Sequence, residues 1–206
     1  MSVLSGFEPV EKEFEILINS FINDKVGIAD HFLSDKLTGH LRDNLLNLLQ
    51  QNQLVKAGTG NNAKLSFDDS IRSDSIYWLD RDHGNEYENE FLDQMDDFIK
   101  YLNRSCFAGI TGCEFHYAMY EIGSFYKKHL DQFNDNASRK YSMICYLNED
   151  WKKEDGGELM IYQSYNDKKI SPNNGKSVMF KSSELQHEVL VTNRQRMSVT
   201  GWLKRG

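Results

Sequence analysis

Large apolar residues recur at three- and four-residue intervals in three stretches of the first half of the chain, and at every second residue or in short runs through the second half. In EKEFEILINSFINDK (11–25), Phe14, Ile18, Phe21 and Ile22 fall at helical spacing, and over 35–50 Leu37, Leu41, Leu45, Leu48 and Leu49 repeat the pattern. Ser34 stands three residues before Leu37, where its hydroxyl can cap the second helix. A third helix is expected over 86–103, from Phe91, Leu92, Met95, Phe98, Ile99 and Leu102. After it the period changes. EFHYAMYEI, YSMICYLN, GELMIYQ, SVMFKS, HEVLVT and RMSVTGWL are alternating or apolar runs bounded by Gly, Asn, Asp or Ser, and SIYWL precedes them. Helices followed by a train of strands predict an α+β fold, an antiparallel sandwich with amphipathic helices on one face.

Between the second helix and SIYWL lies AGTGNNAKLSFDDSIRSD (57–74), polar and rich in breakers, which reads as a mobile loop or hairpin; loops this long are often functional. The 206 residues suit one domain: a mainly helical support over 1–56, a lid hairpin and strand over 57–80, and a strand core over 104–206. Hydrophobic residues at 39% and only two prolines indicate a folded globule. No apolar run is long enough to span a bilayer and no export signal is apparent, so a cytoplasmic location without membrane association is expected. Cys106, Cys113 and Cys145 are unevenly spaced without a CxxC pair, which argues against a disulfide framework or a thiolate zinc site and for buried free thiols. A net charge of -7 would repel a phosphate backbone, so nucleic acid is not expected as a partner and a protein or small molecule is favoured.

The strings HLDQF and LQHEVLVTNRQRMSVTGW hold His129, Asp131, His187 and Arg196. In an extended segment residues i and i+2 point the same way, so one short strand can offer His129 and Asp131 to an ion while a distant strand brings His187. Two neutral nitrogens and one anionic oxygen suit a divalent first-row metal. A set of three leaves coordination positions open and points to non-heme Fe(II) used for oxygen chemistry. Jelly-roll barrels, double-stranded β-helices, are the all-β form most often built around such a site. His31, His40, His83 and His116 lack these companions and read as structural or surface histidines.

KKHLDQF, RKYSMICYLNEDWKKEDGGELMIY and SELQHEVLVTNRQRMSVTGWL resemble the catalytic core of the 2-oxoglutarate- and Fe(II)-dependent prolyl hydroxylases, particularly the oxygen-sensing type and its bacterial relatives. The likeness covers about residues 70–204 and includes IRSDSIYWL (71–79). It implies that His129, Asp131 and His187 bind Fe(II) and that Arg196 forms a two-pronged salt bridge to the distal carboxylate of 2-oxoglutarate, a geometry lysine cannot copy. By the same resemblance Tyr146 donates a hydrogen bond to that carboxylate. Tyr120 stands near the metal, Ile144 packs under the cosubstrate, and Thr200 and Trp202 line the pocket beyond the iron. Asp74 and Arg139 match a charge pair that ties a substrate-covering loop to the core, and Arg72 belongs to that lid.

The reaction so implied is hydroxylation of a prolyl residue, at C4, with O2 and 2-oxoglutarate as cosubstrates, succinate and CO2 as products and ascorbate as reductant. Asp131 favours hydroxylation over halogenation, because related halogenases leave the carboxylate position empty. The target class implied is a cytosolic protein or peptide containing proline, such as a transcription factor or a component of the translation machinery. Two alternatives stay open: a hydroxylase of a free amino acid or other small molecule, and a non-catalytic module that senses 2-oxoglutarate.

Overall fold

The structure, a computed structural model, describes residues 9–58, 66–132 and 138–206. The helices are α1 (Pro9–Asp24), α2 (Asp35–Gln50) and α3 (Glu86–Cys106). The strands are β1 (Val26–Ala29), β2 (Val55–Lys56), β3 (Ser75–Trp78), β4 (Gly112–Tyr120), β5 (Tyr126–His129), β6 (Arg139–Tyr146), β7 (Leu159–Ile161), β8 (Lys168–Ile170), β9 (Ser177–Lys181), β10 (His187–Val189) and β11 (Arg196–Lys204). Ser34 caps α2 as expected, its hydroxyl accepting from the Leu37 N–H at 3.1 Å. Ile22 departs from the expected buried face: it is 64% exposed near the end of α1, and Leu17 occupies the core instead.

Two antiparallel sheets carry the strands, a seven-stranded one ordered β1-β9-β6-β11-β4-β3-β2 and a four-stranded one ordered β5-β10-β7-β8. Alternation along the central strands gives each face of the large sheet its own task. From β4, β6 and β11, Phe115, Tyr117, Met119, Met143, Cys145, Val199 and Leu203 pack with Phe14, Leu17, Leu41, Phe91, Met95 and Phe98 of the helices. Their neighbours one residue along, Ala118, Tyr120, Ile144 and Tyr146, face the small sheet and join Leu159, Ile161 and Val189 in a second cluster. This is the helix-backed double-stranded β-helix expected from the sequence.

Gly201 on β11 shows how tightly the helix-side layer is built: a Cβ there would lie 2.1 Å from the Glu114 carbonyl oxygen and 2.5 Å from the Phe115 ring. Of the thiols, Cys145 is buried, and burial pushes its pKa up to about 12; Cys113 is partly buried and Cys106 is exposed, so the expectation of buried thiols holds for Cys145 alone. Among the described residues no helix is long and apolar enough to cross a membrane. Of the polar 57–74 segment, residues 59–65 lie outside the described residues, as do 133–137 after Asp131.

Candidate metal centre and adjoining pocket

Strand pairing brings the two histidines together, since His187 on β10 lies directly opposite His129 on β5. β5 ends at His129, and Asp131 stands in the bend that follows rather than on the strand itself. The carboxylate still reaches both rings: Asp131 Oδ1 is 3.3 Å from His129 Nε2, and Oδ2 is 3.6 Å from His187 Nε2. Two ligands each about 2.1 Å from an ion and at right angles sit about 3 Å apart, so these separations suit neighbouring positions around one metal.

Each ring is oriented from behind. The Nδ1 of His129 faces the Lys127 carbonyl at 2.8 Å and that of His187 faces the Leu185 carbonyl at 3.2 Å, which places the proton on Nδ1 and leaves the Nε2 lone pairs aimed inward. Burial pushes the His187 pKa down to about 4 against the pull of Asp131, which keeps the ring neutral and able to ligate. Burial alone would raise the Asp131 pKa, but the charged forms of His187 and His129 and a 2.6 Å hydrogen bond from the Ser142 hydroxyl hold it well below the usual carboxylate range, and with both rings neutral the Ser142 bond still steadies the anion. The donor set therefore fits a divalent metal: an anionic oxygen and two neutral nitrogens gathered on one side of a cleft.

That cleft runs between the sheets from the triad to Arg196. Arg196 is 1% exposed, yet among the described residues no carboxylate lies within salt-bridge distance of it. Its Nε donates to the Gly157 carbonyl at 2.8 Å, which fixes the head without neutralising it. Gly157 has φ +63°, and a Cβ there would sit 3.1 Å from the Arg196 Cδ. Tyr120 and Tyr146 flank the guanidinium at 4.9 and 5.0 Å from ring centroid to Cζ. Among the described residues the buried Tyr146 hydroxyl has no hydrogen-bond partner, and burial raises its pKa although Arg196 pulls it back, so it stays a donor. An uncompensated buried cation beside an unused donor is a costly arrangement unless an anion completes it.

Most of the pocket residues inferred from the sequence converge here: Tyr120, Ile144, Thr200, Trp202 and Arg72 line the cleft with Arg196 and the triad, and Tyr146 stands against Arg196. The Asp74–Arg139 pair does not form. Asp74, buried at 1% exposure, is held by Arg72 through a two-pronged bridge of 2.5 and 2.8 Å, because in an extended segment residues two apart share a side. Arg139 instead bonds Glu114 at 2.9 Å and lies 3.5 Å over the Trp202 ring, outside the cleft lining.

Sequence reasoning passed over other cleft residues, among them His116, Tyr126, Leu159 and Val189, and also Ser142 behind Asp131. The signal for His116 was available: it shares the β4 alternation with Ala118 and Tyr120, so singling out Tyr120 also placed His116 on the cleft side. Tyr126 was hidden in YKKH, whose two outward lysines disguise an edge strand.

The family model for the 2OG-Fe(II) oxygenase superfamily matches residues 115–204. A prolyl-4-hydroxylase from Pseudomonas putida is similar over 94% of this chain and 99% of its own, with 31% sequence identity and a TM-score of 0.84. A prolyl hydroxylase from Trichoplax adhaerens, solved in complex with a peptide fragment of the hypoxia inducible factor oxygen degradation domain, is 25% identical over 95% of this chain and 90% of its own, also with a TM-score of 0.84. A prolyl 4-hydroxylase from Phytophthora capsici, 16% identical over 100% of this chain and 68% of its own with a TM-score of 0.72, shares the fold.

Proposed function

Because the chain belongs to the 2-oxoglutarate- and Fe(II)-dependent prolyl hydroxylase family, whose cofactors are Fe(II), 2-oxoglutarate and O2, we propose that it hydroxylates a prolyl residue, at C4, in a protein or peptide, with 2-oxoglutarate decarboxylated to succinate and CO2. The observation that carries this reading is the pairing, within one cleft, of a three-ligand set open on one side with a buried arginine that has no carboxylate partner among the described residues. A metal with free positions and an anion with a carboxylate at its far end satisfy both at once.

Bound iron supplies the oxygen activation and C–H cleavage that side chains cannot perform. His129, Asp131 and His187 would hold it on one face and leave the remaining positions to the cosubstrate and oxygen. Arg196 would grip the distal carboxylate through charge-assisted hydrogen bonds, with Tyr146 donating one more. Tyr120, which burial keeps protonated, is a further donor over the same space. Ile144, Leu159 and Val189 form the apolar wall that keeps bulk water from the reacting centre.

Thr200, Trp202 and Arg72 stand toward the substrate side, and the described residues 66–74 are the part of the 57–80 segment that we assign to a lid over a bound peptide, tied down at their base by Arg72–Asp74. A protein target is supported by the peptide seen with the Trichoplax relative. A cytosolic transcription factor or translation component is the target class this reading favours.

The test is incubation with Fe(II), 2-oxoglutarate, ascorbate and O2 against an array of proline-containing peptides and free proline. Succinate release with one oxygen added to a peptidyl proline is expected. No succinate with any peptide, or hydroxylation of free proline alone, overturns the reading.

A further inference from the structure

One buried polar ring in the cleft is used neither by the triad nor by the anion site. His116 is 2% exposed, lines the cleft, and has no hydrogen-bond partner at either ring nitrogen among the described residues. On β4 it lies opposite Thr200 of β11, with Ile144 beyond Thr200 on one side and Trp78 beyond His116 on the other. These four residues make one row across the large sheet. The triad stands over the far side of that row, where Asp131 is bonded to Ser142 of β6 and His187 packs on Phe180 of β9.

His116 occupies the opposite side, in a cluster of rings. Trp78 lies 4.9 Å away and Trp202 5.6 Å away, centroid to centroid. The Trp202 indole nitrogen is likewise buried without a partner among the described residues. Burial, reinforced by Arg72 and Arg139, pushes the His116 pKa down to about 3, with only Asp131 opposing, so the ring is neutral. A neutral imidazole offers one N–H donor and one acceptor, and the indole adds a second donor. Neither nearby arginine is a free cation, since Asp74 holds Arg72 and Glu114 holds Arg139. This side of the cleft thus presents neutral donors without an uncompensated positive charge, which suits a carbonyl oxygen better than a carboxylate.

Resting on the prolyl hydroxylase reading above, we propose that His116 and Trp202 determine substrate specificity by donating together to the neutral main-chain carbonyl that follows the target proline. A peptide carries that carbonyl, whereas free proline carries a carboxylate in its place. Two N–H donors satisfy the two lone pairs of one carbonyl oxygen, and the remaining ring nitrogen of His116 accepts from water or a main-chain N–H. Selection for peptides over free amino acids then resides partly in the floor of the cleft.

Binding can be read without turnover. Protein loaded with Zn(II) and 2-oxoglutarate is titrated with N-acetylprolinamide and with N-acetylproline, and the ring nitrogens of His116 and the indole N–H of Trp202 are followed by nitrogen NMR. The amide is expected to shift both sets of signals, and the carboxylate to bind about tenfold more weakly, because its charge is taken out of water with no free cation to meet it. With Fe(II), 2-oxoglutarate and O2, His116→Met is expected to raise the KM for a hydroxylated peptide about tenfold with the KM for 2-oxoglutarate unchanged, and His116→Gln to restore most of the loss. Unmoved signals, equal binding of the two probes, or an unchanged peptide KM in His116→Met overturns the inference. Equal peptide hydroxylation by wild type and His116→Met leaves the prolyl hydroxylase reading standing; absence of peptide hydroxylation in the wild type removes both.

Discussion

Tyr126 lies flat against His129, with ring centroids 3.6 Å apart and planes 15° apart. Arg72 lies over the same tyrosine at 4.6 Å, and Asp74 holds Arg72. A buried ion pair at the start of β3 is thereby connected through one aromatic ring to a metal-ligand candidate on β5. With Nδ1 bound to the Lys127 carbonyl, the stack leaves the His129 ring little freedom to turn.

Removing the stacking surface should loosen that ring. Tyr126→Leu is expected to weaken Fe(II) binding about tenfold, and Tyr126→Phe, which keeps the face, to leave it nearly unchanged. Metal titration in the absence of oxygen measures both.

The Arg72–Asp74 bridge supports stability as well as position. Asp74 has no exposed side-chain surface, so Arg72→Ala strands a buried carboxylate and should cost about 3–5 kcal/mol. Adding Asp74→Asn to that variant removes the stranded charge and should recover much of the loss. Denaturant unfolding of the wild type, the single variant and the double variant gives the comparison.

At the other end of the cleft, Arg196→Lys exchanges a planar fork for a point charge and should weaken 2-oxoglutarate binding by about 1.5–3 kcal/mol with little effect on the metal. Gly157→Ala should act in the same direction by another route. Its Cβ would meet Thr192 at 2.9 Å and Arg196 at 3.1 Å, on a backbone at φ +63° that disfavours alanine. The 2-oxoglutarate dependence of succinate formation reads both.

His116 gives a pH signature in stability. Its pKa falls from 6.5 to about 3 on folding, so the unfolded chain binds a proton there that the native state refuses. The contribution is complete above pH 6.5 and is lost as pH falls toward 3. In His116→Met this loss is absent, so the stability of the wild type relative to the variant should drop by about 1.4 kcal/mol per pH unit below the unfolded pKa. Urea unfolding of both metal-free proteins at neutral and mildly acidic pH measures the difference.

How much of this could be read from the chain depends on how far each signal is local. The helices, the Ser34 cap and the long strands follow from periodicity, and His129, Asp131 and His187 stand out because few other patterns place such groups together. β1 is hard to read for a physical reason, because VGIA is short and lies between two helices, whereas β5 is the short strand expected to carry His129 and differs only in ending before Asp131. Asp74 pairs with Arg72 and not with the expected Arg139, because the arginine two residues away shares its side of the backbone. In the sequence His116 has no companion that marks it as more than a structural histidine. Its role emerges once the β4 register sets it beside Thr200 and Trp78.

The central claim is that one cleft holds iron on His129, Asp131 and His187 and the far carboxylate of 2-oxoglutarate on Arg196. Calorimetric titration of Fe(II), and then of 2-oxoglutarate, into oxygen-free wild type, Asp131→Ala and Arg196→Lys tests it directly. Stoichiometric metal binding in the wild type is predicted, with tight 2-oxoglutarate binding only after metal, loss of both in Asp131→Ala, and weakened 2-oxoglutarate alone in Arg196→Lys. Metal binding unaltered by Asp131→Ala, or 2-oxoglutarate binding indifferent to metal and to Arg196, would contradict the account.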